Sequence, residues 1–432
     1  MKPAGNAQAV ARSLAAIWHP CTQMKAHERL PLVPVARAHG VWLEDFEGQR
    51  YVDAVSSWWV NLFGHGHPAI NAALVDQLAS LEHVMLAGFT HAPAIELAER
   101  LAARAPGLGH AFFASDGASA TEIALKMAFH HWANRGQPAK CRYVALEGGY
   151  HGETVGALGV TDVPIFRDAY APLVRNAITV PFPGGDAGAF DKAIDALATT
   201  LASRHGEIAA LIVEPLVQGA SGMRFFDPRY LERARELCDR HGVLLVADEI
   251  MTGFGRTGTF FAHTQARIRP DLLCLSKGIT GGYLPLSCVL ASDAVYASFY
   301  DDDPARGFLH SHSYTGNALA CRAACAVLDI FDREDVLVAN ARNALRFDAI
   351  AAPVASHRRA RGWRRRGMIW AFEVDGVEAG FAGRAFTRAL AEGVVLRPIG
   401  STVYFMPPYV IDDAAFAQVV RAAMAILEEV SR

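Results

Sequence analysis

The chain has 432 residues, 52% of them hydrophobic and 20% charged, with a formal net charge of −3. That length holds one large domain with a smaller companion, or two ordinary domains. The near-balance of charge provides no field to draw in nucleic acid or an acidic membrane surface. The most apolar stretches, residues 207–215 and 243–247, are too short to cross a bilayer. Residues 1–16 have no continuous apolar core behind a basic segment and make a poor secretory signal, so a cytoplasmic location is expected.

Residues 30–65 carry short strand signals at 41–43 and 51–52, with a glycine-containing turn over 46–50. From Gly109 to Leu290, short apolar runs alternate with amphipathic stretches. Strands are predicted at 111–114, 142–146, 209–214, 244–248, 272–276 and 287–291, and helices include 120–135 and 228–241. Near-continuous Val, Ile and Leu runs suit a mostly parallel sheet covered by helices on both faces. The alternation predicts an α/β domain of the doubly wound type. After residue 325, helices mix with strands predicted at 369–374, 394–397 and 402–406. The two chain ends, 1–65 and 326–432, are expected to meet in one smaller α+β domain beside a larger domain of residues 66–325. A run of six arginines within residues 357–366 contains a single aromatic, Trp363, and is expected to be a solvated surface segment leading into the strand at Ile369. Seven cysteines are scattered along the chain without a CxxC or Cys/His metal pattern, as expected of buried thiols in a reducing compartment.

Two strand ends carry the strongest chemical signal. The run Leu244-Leu-Val-Ala stops at Asp248-Glu249, and Leu272-Leu-Cys-Leu-Ser276 stops at Lys277. Ligands of an open parallel sheet bind beyond the carboxyl ends of its strands, so an acid and an amine are expected to face one crevice. A structural salt bridge is the plain alternative for such a pair. Ser115-Asp-Gly-Ala-Ser119 follows another strand and opens a helix, where backbone N–H groups and the helix dipole favour an anion. The chain has neither GxGxxG nor a Walker pattern, so a single phosphate monoester suits that turn better than a dinucleotide. In Glu147-Gly-Gly-Tyr150-His-Gly152, flanking glycines let a loop bend and present Tyr150, which could stack on a flat ring.

Taken together, Asp248-Glu-Ile-Met-Thr-Gly-Phe-Gly-Arg256-Thr-Gly and Ser276-Lys277-Gly-Ile-Thr-Gly-Gly282 resemble the class III aminotransferases of PLP fold type I. Tyr150-His-Gly152, Glu214-Pro-Leu-Val-Gln218-Gly and Ser311-His-Ser313-Tyr-Thr-Gly-Asn317 share that resemblance, which extends from Trp18 to the C-terminal region. It implies pyridoxal 5'-phosphate as cofactor, Lys277 as the residue that bonds covalently to it and later moves the proton, and Asp248 as the partner of the pyridine nitrogen. It also implies that Gly117 and Ala118 hold the phosphate, and that Tyr150 and Ile250 cover the two ring faces. Ser313 would reach the phosphate of a neighbouring subunit, in a homodimer with shared sites; the family often has Pro just before that hydroxyl, where this chain has His312.

Ile17-Trp-His-Pro20, Ser56-Ser-Trp58-Trp59, the 83–94 segment, Leu396-Arg397-Pro398 and Tyr404-Phe-Met-Pro-Pro408 resemble one branch of the family. That branch transfers an amino group from S-adenosylmethionine to 8-amino-7-oxononanoate. The resemblance places Trp58, Trp59, Tyr150, Ser311 (a glycine in the branch) and Tyr404 around the substrate, with Arg397 on its carboxylate. The branch commonly has a tyrosine where this chain has Cys21, which bears on the choice between S-adenosylmethionine and lysine as donor. A broad ω-aminotransferase using amines and pyruvate shares the cofactor residues and differs only in the pocket. A non-catalytic PLP-binding module is the alternative of another class.

Overall fold

The structure, a computed structural model, describes residues 5–430. The chain divides into two compact units, one of Ala69–Leu337 and one formed by the residues up to Pro68 together with those from Val338 onward.

The larger unit is built on a seven-stranded sheet. Its spatial order is His110–Ala114, Ser287–Ala291, Leu272–Leu275, Leu244–Asp248, Ile208–Val213, Arg142–Leu146 and Ile178–Val180. Ser287–Ala291 runs antiparallel to both of its neighbours, and the remaining pairs are parallel. The mostly parallel α/β architecture expected from the sequence is therefore present. Every residue of Ile208–Val213 and Leu244–Asp248 is buried, as the unbroken apolar runs require of strands covered on both faces. The helix Gly117–Asn134 lays Ile123, Ala124, Met127 and Ala128 against that sheet. The helix Arg229–His241 stops at Gly242, whose φ of 60° makes the left-handed turn that a side chain resists. Ile178–Val180 has only three residues, too few to register as an apolar run.

The smaller unit holds two sheets. Val35–His39, Trp42–Asp45 and Arg50–Asp53 form an antiparallel meander, and Val394–Val395 adds to its edge in parallel with Val52 and Asp53. Ala360–Arg366, Ile369–Val374 and Thr402–Phe405 form an antiparallel sheet of three. The arginine-rich run is thus an edge strand rather than only a solvated lead-in. Three of its charges are matched: Arg361 pairs with Asp375, Arg364 with Glu373 and Arg365 with Asp348. Paired charges on an edge also discourage further strand addition.

Five cysteines are buried, whereas Cys21 is exposed and Cys141 half-buried; all seven are free thiols. Among the described residues, no helix is long and apolar enough to cross a membrane.

Candidate active site

Four strand ends of the larger unit bring polar groups to one side of the sheet. Asp248 ends its strand, Glu214 follows Val213, the loop at Glu147 follows Leu146, and Lys277 follows Leu275-Ser276. Strands Leu244–Asp248 and Leu272–Leu275 are parallel neighbours, with Asp248 beside Cys274. That register puts the acid and the lysine at adjacent strand ends.

Asp248 is buried and fully engaged. Its Oδ2 lies 2.6 Å from Nδ1 of the buried His151, and its Oδ1 accepts the Ile250 N–H at 3.1 Å. A carboxylate can only accept, so His151 carries a proton on Nδ1. The pairing with His151 keeps a buried charge from standing alone, which would cost several kcal/mol on the order of its desolvation penalty. Glu214 is also buried, and its two oxygens accept the N–H groups of Tyr150 at 2.9 Å and Gly219 at 3.0 Å. Burial pushes its carboxyl up to about 7, and the nearby Asp248 adds to the rise while His151 opposes it. Burial lowers the Lys277 ammonium to about 8, although Asp248 and Glu214 pull in the other direction. An amine so displaced has a large neutral fraction near pH 8, the form that attacks a carbonyl and accepts a proton.

The backbone at Lys277 is itself unusual. Lys277 has φ +48°, a left-handed conformation unusual outside glycine, and it opens a short 3-10 turn to Thr280. Such a residue costs roughly 1–2 kcal/mol, so its surroundings must hold it. Ser276 Oγ donates to the Leu286 carbonyl at 2.9 Å, and Thr280 Oγ1 donates to Leu284 at 2.7 Å, fixing both flanks of the turn.

Gly117 is the first residue of its helix, and Asp116 caps that helix by accepting Ser119 N–H at 2.9 Å. A Cβ built on Gly117 would stand 2.9 Å from Ile250 Cγ2, and one on Gly152 would stand 2.7 Å from Ala118 Cβ. Glycine at those two positions lets Ile250, the helix start and the Tyr150 loop converge. The expected residues Asp248, Lys277, Gly117, Ala118, Ile250 and Tyr150 are thereby brought to one region of the larger unit. The Tyr150 hydroxyl donates to Glu153 at 2.8 Å, and its ring meets Phe166 edge-on at 5.4 Å. Ser311 and Ser313 belong to the same unit but lie on an exposed loop, where His83 Nε2 sits 2.9 Å from the Ser313 carbonyl oxygen.

The remaining expected site residues belong to the smaller unit. Arg397 lies over the ring of Trp58 at 4.4 Å, and both line a cavity of about 530 Å³. Leu30, Leu32, Val33, Phe386 and Leu390 supply apolar walls, and Cys21 also faces it. Trp59 and Tyr404 are buried instead, with Trp59 Nε1 donating to the Tyr404 hydroxyl at 3.0 Å. They back this region and are not among the residues that line that cavity. Ser56, Ser57, Trp58 and Trp59 have φ of 51°, 47°, 71° and 72°, a left-handed turn made wholly of non-glycine residues. At roughly 1–2 kcal/mol per residue, that is the most strained segment of the smaller unit.

Sequence reasoning assigned no role to His151 or Glu214. Glu214 had a readable signal, since it ends an apolar strand as Asp248 does. The partnership of His151 with Asp248 spans 97 positions and had none.

A mostly parallel sheet with an acid and a displaced-pKa lysine at adjacent strand ends defines an α/β protein of PLP fold type I. The chain belongs to the class-III aminotransferase family, whose model matches residues 23–427. It is 42% identical over 429 residues to an adenosylmethionine-8-amino-7-oxononanoate aminotransferase of Helicobacter pylori, covering 98% of each chain. The crystal structure of an enzyme of that name from Methanocaldococcus jannaschii superposes with a TM-score of 0.92 at 31% identity, covering 97% of this chain and 98% of that one. An amine transaminase from an uncultivated Pseudomonas species, in its PLP-bound form, superposes with a TM-score of 0.90 at 31% identity, covering 96% and 98%.

Proposed function

We propose that this protein is a pyridoxal 5'-phosphate enzyme that moves an amino group from S-adenosylmethionine to 8-amino-7-oxononanoate, giving the 7,8-diamino acid of biotin synthesis. The observation that carries the choice of oxo acid is the Arg397–Trp58 pair on an apolar cavity. A long aliphatic chain ending in a carboxylate needs apolar walls and one cation, and a guanidinium held over an indole is such a cation.

The residues of the larger unit suit the cofactor. Buried Asp248 offers a carboxylate to a pyridinium N–H, Gly117 and Ala118 offer first-turn backbone N–H groups to a phosphate, and Ile250 and Tyr150 offer surfaces to the two faces of a ring. When bound, the cofactor supplies the electron sink for the substrate carbon. Lys277 would be the amine that holds the cofactor covalently and, once displaced by substrate, the base that moves a proton to and from the substrate carbon. Asp248 would accept the ring N–H, and His151 holds Asp248 in place through their 2.6 Å contact. Glu214 holds the Tyr150 loop through the Tyr150 N–H. We read the working enzyme as a homodimer in the cytoplasm, with the exposed Ser313 serving the phosphate of the second copy.

The test is a pair of half-reactions on the holoenzyme. Adding S-adenosylmethionine should convert the visible absorbance of the pyridoxal form to that of pyridoxamine phosphate, and 8-amino-7-oxononanoate should restore it. Conversion by simple amines, with no response to S-adenosylmethionine, would instead make it a broad ω-aminotransferase. Conversion by lysine alone would retain the oxo acid and change the donor, as the cavity-facing Cys21 could allow.

A further inference from the structure

The left-handed turn Ser56–Trp59 needs a cause. Consecutive non-glycine residues in that conformation persist only where their neighbours over-determine them. The strand before the turn, Arg50–Asp53, ends at Asp53, which has no exposed surface. Its Oδ1 accepts the Ser57 N–H at 2.9 Å and the Val55 N–H at 3.4 Å. Its Oδ2 accepts the Ser57 hydroxyl at 2.7 Å and lies 3.0 Å from His65 Nε2. Four contacts from three residues thus converge on one carboxylate.

Each partner is itself anchored. His65 exchanges both backbone hydrogen bonds with Gly40, at 2.7 and 2.9 Å, which ties it to the strand meander. The far side of the turn is held by Ser56 Oγ, which donates to the Met406 carbonyl at 2.7 Å, and by the Trp59–Tyr404 bond. Burial alone would raise the Asp53 carboxyl, but hydrogen bonds from His65 and Ser57 outweigh it and hold the group below its ordinary range. It therefore remains an acceptor at neutral pH.

The register of the small sheet shows what the turn is for. Val395 pairs with Asp53 in parallel, and the chain from Val395 leads within two residues to Arg397. Two neighbouring strands therefore end side by side; one delivers Arg397 and the other, through the strained turn, delivers Trp58. Their side chains meet at 4.4 Å on the wall of the cavity. An ordinary right-handed turn after Asp53 would send residue 58 in another direction.

We propose that Asp53, with Ser57 and His65, is a positioning group for oxo-acid recognition: it locks the left-handed turn that sets Trp58 under the Arg397 guanidinium. The proposal rests on the reading of Trp58 and Arg397 as the oxo-acid pocket. Asp53 touches neither substrate nor cofactor in this account and acts only through Trp58.

The test compares Asp53→Asn, Ser57→Ala and Trp58→Ala, and the double variant D53N/W58A, in the oxo-acid half-reaction of the holoenzyme. Asp53→Asn keeps the shape and removes one acceptor. Ser57 is exposed, so Ser57→Ala tests the same bracing even if the buried variant folds poorly. Asp53→Asn should raise the half-saturating oxo-acid concentration about tenfold and Ser57→Ala about threefold, with the maximal rate at saturation unchanged; contacts of this kind are coupled, not additive. In the W58A background, Asp53→Asn should change that concentration by less than about twofold. An equal effect of Asp53→Asn with and without Trp58, or no effect of either Asp53→Asn or Ser57→Ala while Trp58→Ala raises the concentration, overturns the positioning role and leaves the pocket standing. No effect of Trp58→Ala overturns the pocket itself, and the positioning role with it.

Discussion

The Asp248 cluster of the larger unit and the Trp58–Arg397 pair of the smaller unit solve opposite problems. Asp248, His151 and Glu214 are buried, and the contacts around them satisfy polar groups that the interior would otherwise reject. Trp58 is 39% exposed and Arg397 is exposed, and strain in the backbone rather than burial fixes where they meet. The proposed cofactor chemistry sits at strand ends in the core, where a small shift would unpair a buried polar group. In the proposed reading, selection among substrates falls to the Trp58–Arg397 pair, which belongs to the other unit. The division is physical: pKa displacement requires desolvation, whereas capture of a carboxylate requires an open cation.

Variants in the two regions should therefore fail in different ways. Lys277→Ala removes the amine proposed both to bond to the cofactor and to move the proton. Turnover should fall by about 10³-fold or more, with the thermal midpoint of the apoprotein unchanged or higher, because a costly buried amine and its burial penalty are gone. A turnover loss below tenfold, measured with both substrates saturating, would break the assignment. Asp248→Asn should lower the maximal rate by about 10²-fold and weaken cofactor retention less, since it removes the charge that holds the ring nitrogen protonated and keeps the shape. Equilibrium dialysis of the cofactor beside steady-state rates separates the two effects. An active D248N variant would sink the role.

The smallest effect concerns Glu214. Its folded-state carboxyl is pushed up to about 7 from an ordinary 4.5, so the folded protein holds a proton that the unfolded chain gives up. Its contribution to stability is fully present below pH 4.5 and is lost as pH rises through about 7. Glu214→Gln, which cannot ionise, should flatten that part of the stability profile. Chemical denaturation of both proteins between pH 4.5 and 8 reads the difference. Parallel profiles would mean that Glu214 ionises normally.

Much of the catalytic region was legible in the chain because parallel strands announce themselves as unbroken apolar runs, and Asp248 and Lys277 interrupt two of them. The helix start at Gly117 was legible through its small residues. What escaped were pairings across long separations, such as His151 with Asp248, for which local pattern holds no information. Trp59 and Tyr404 were expected on the substrate wall with Trp58. The left-handed turn sends Trp59 inward to the Tyr404 hydroxyl while Trp58 stays out. Nothing in Ser-Ser-Trp-Trp announces positive φ, because propensity favours glycine or asparagine there. The arginine run read as solvent-facing polarity, and its antiparallel pairing with Ile369–Val374 makes it a strand whose Arg361, Arg364 and Arg365 find acidic partners.

The division of labour is tested most directly by comparing 8-amino-7-oxononanoate with its methyl ester as amino acceptors for the natural protein and for Arg397→Ala. The ester keeps the chain and ketone and removes the charge. The natural protein should favour the acid by about tenfold to a hundredfold in kcat/KM, the worth of a charge-assisted hydrogen-bonded pair. Arg397→Ala should bring the ratio near one while its rate at saturating acid stays close to that of the natural protein. A natural protein indifferent to the ester, or an R397A variant that still prefers the acid, would contradict the placement of substrate selection at the Trp58–Arg397 pair.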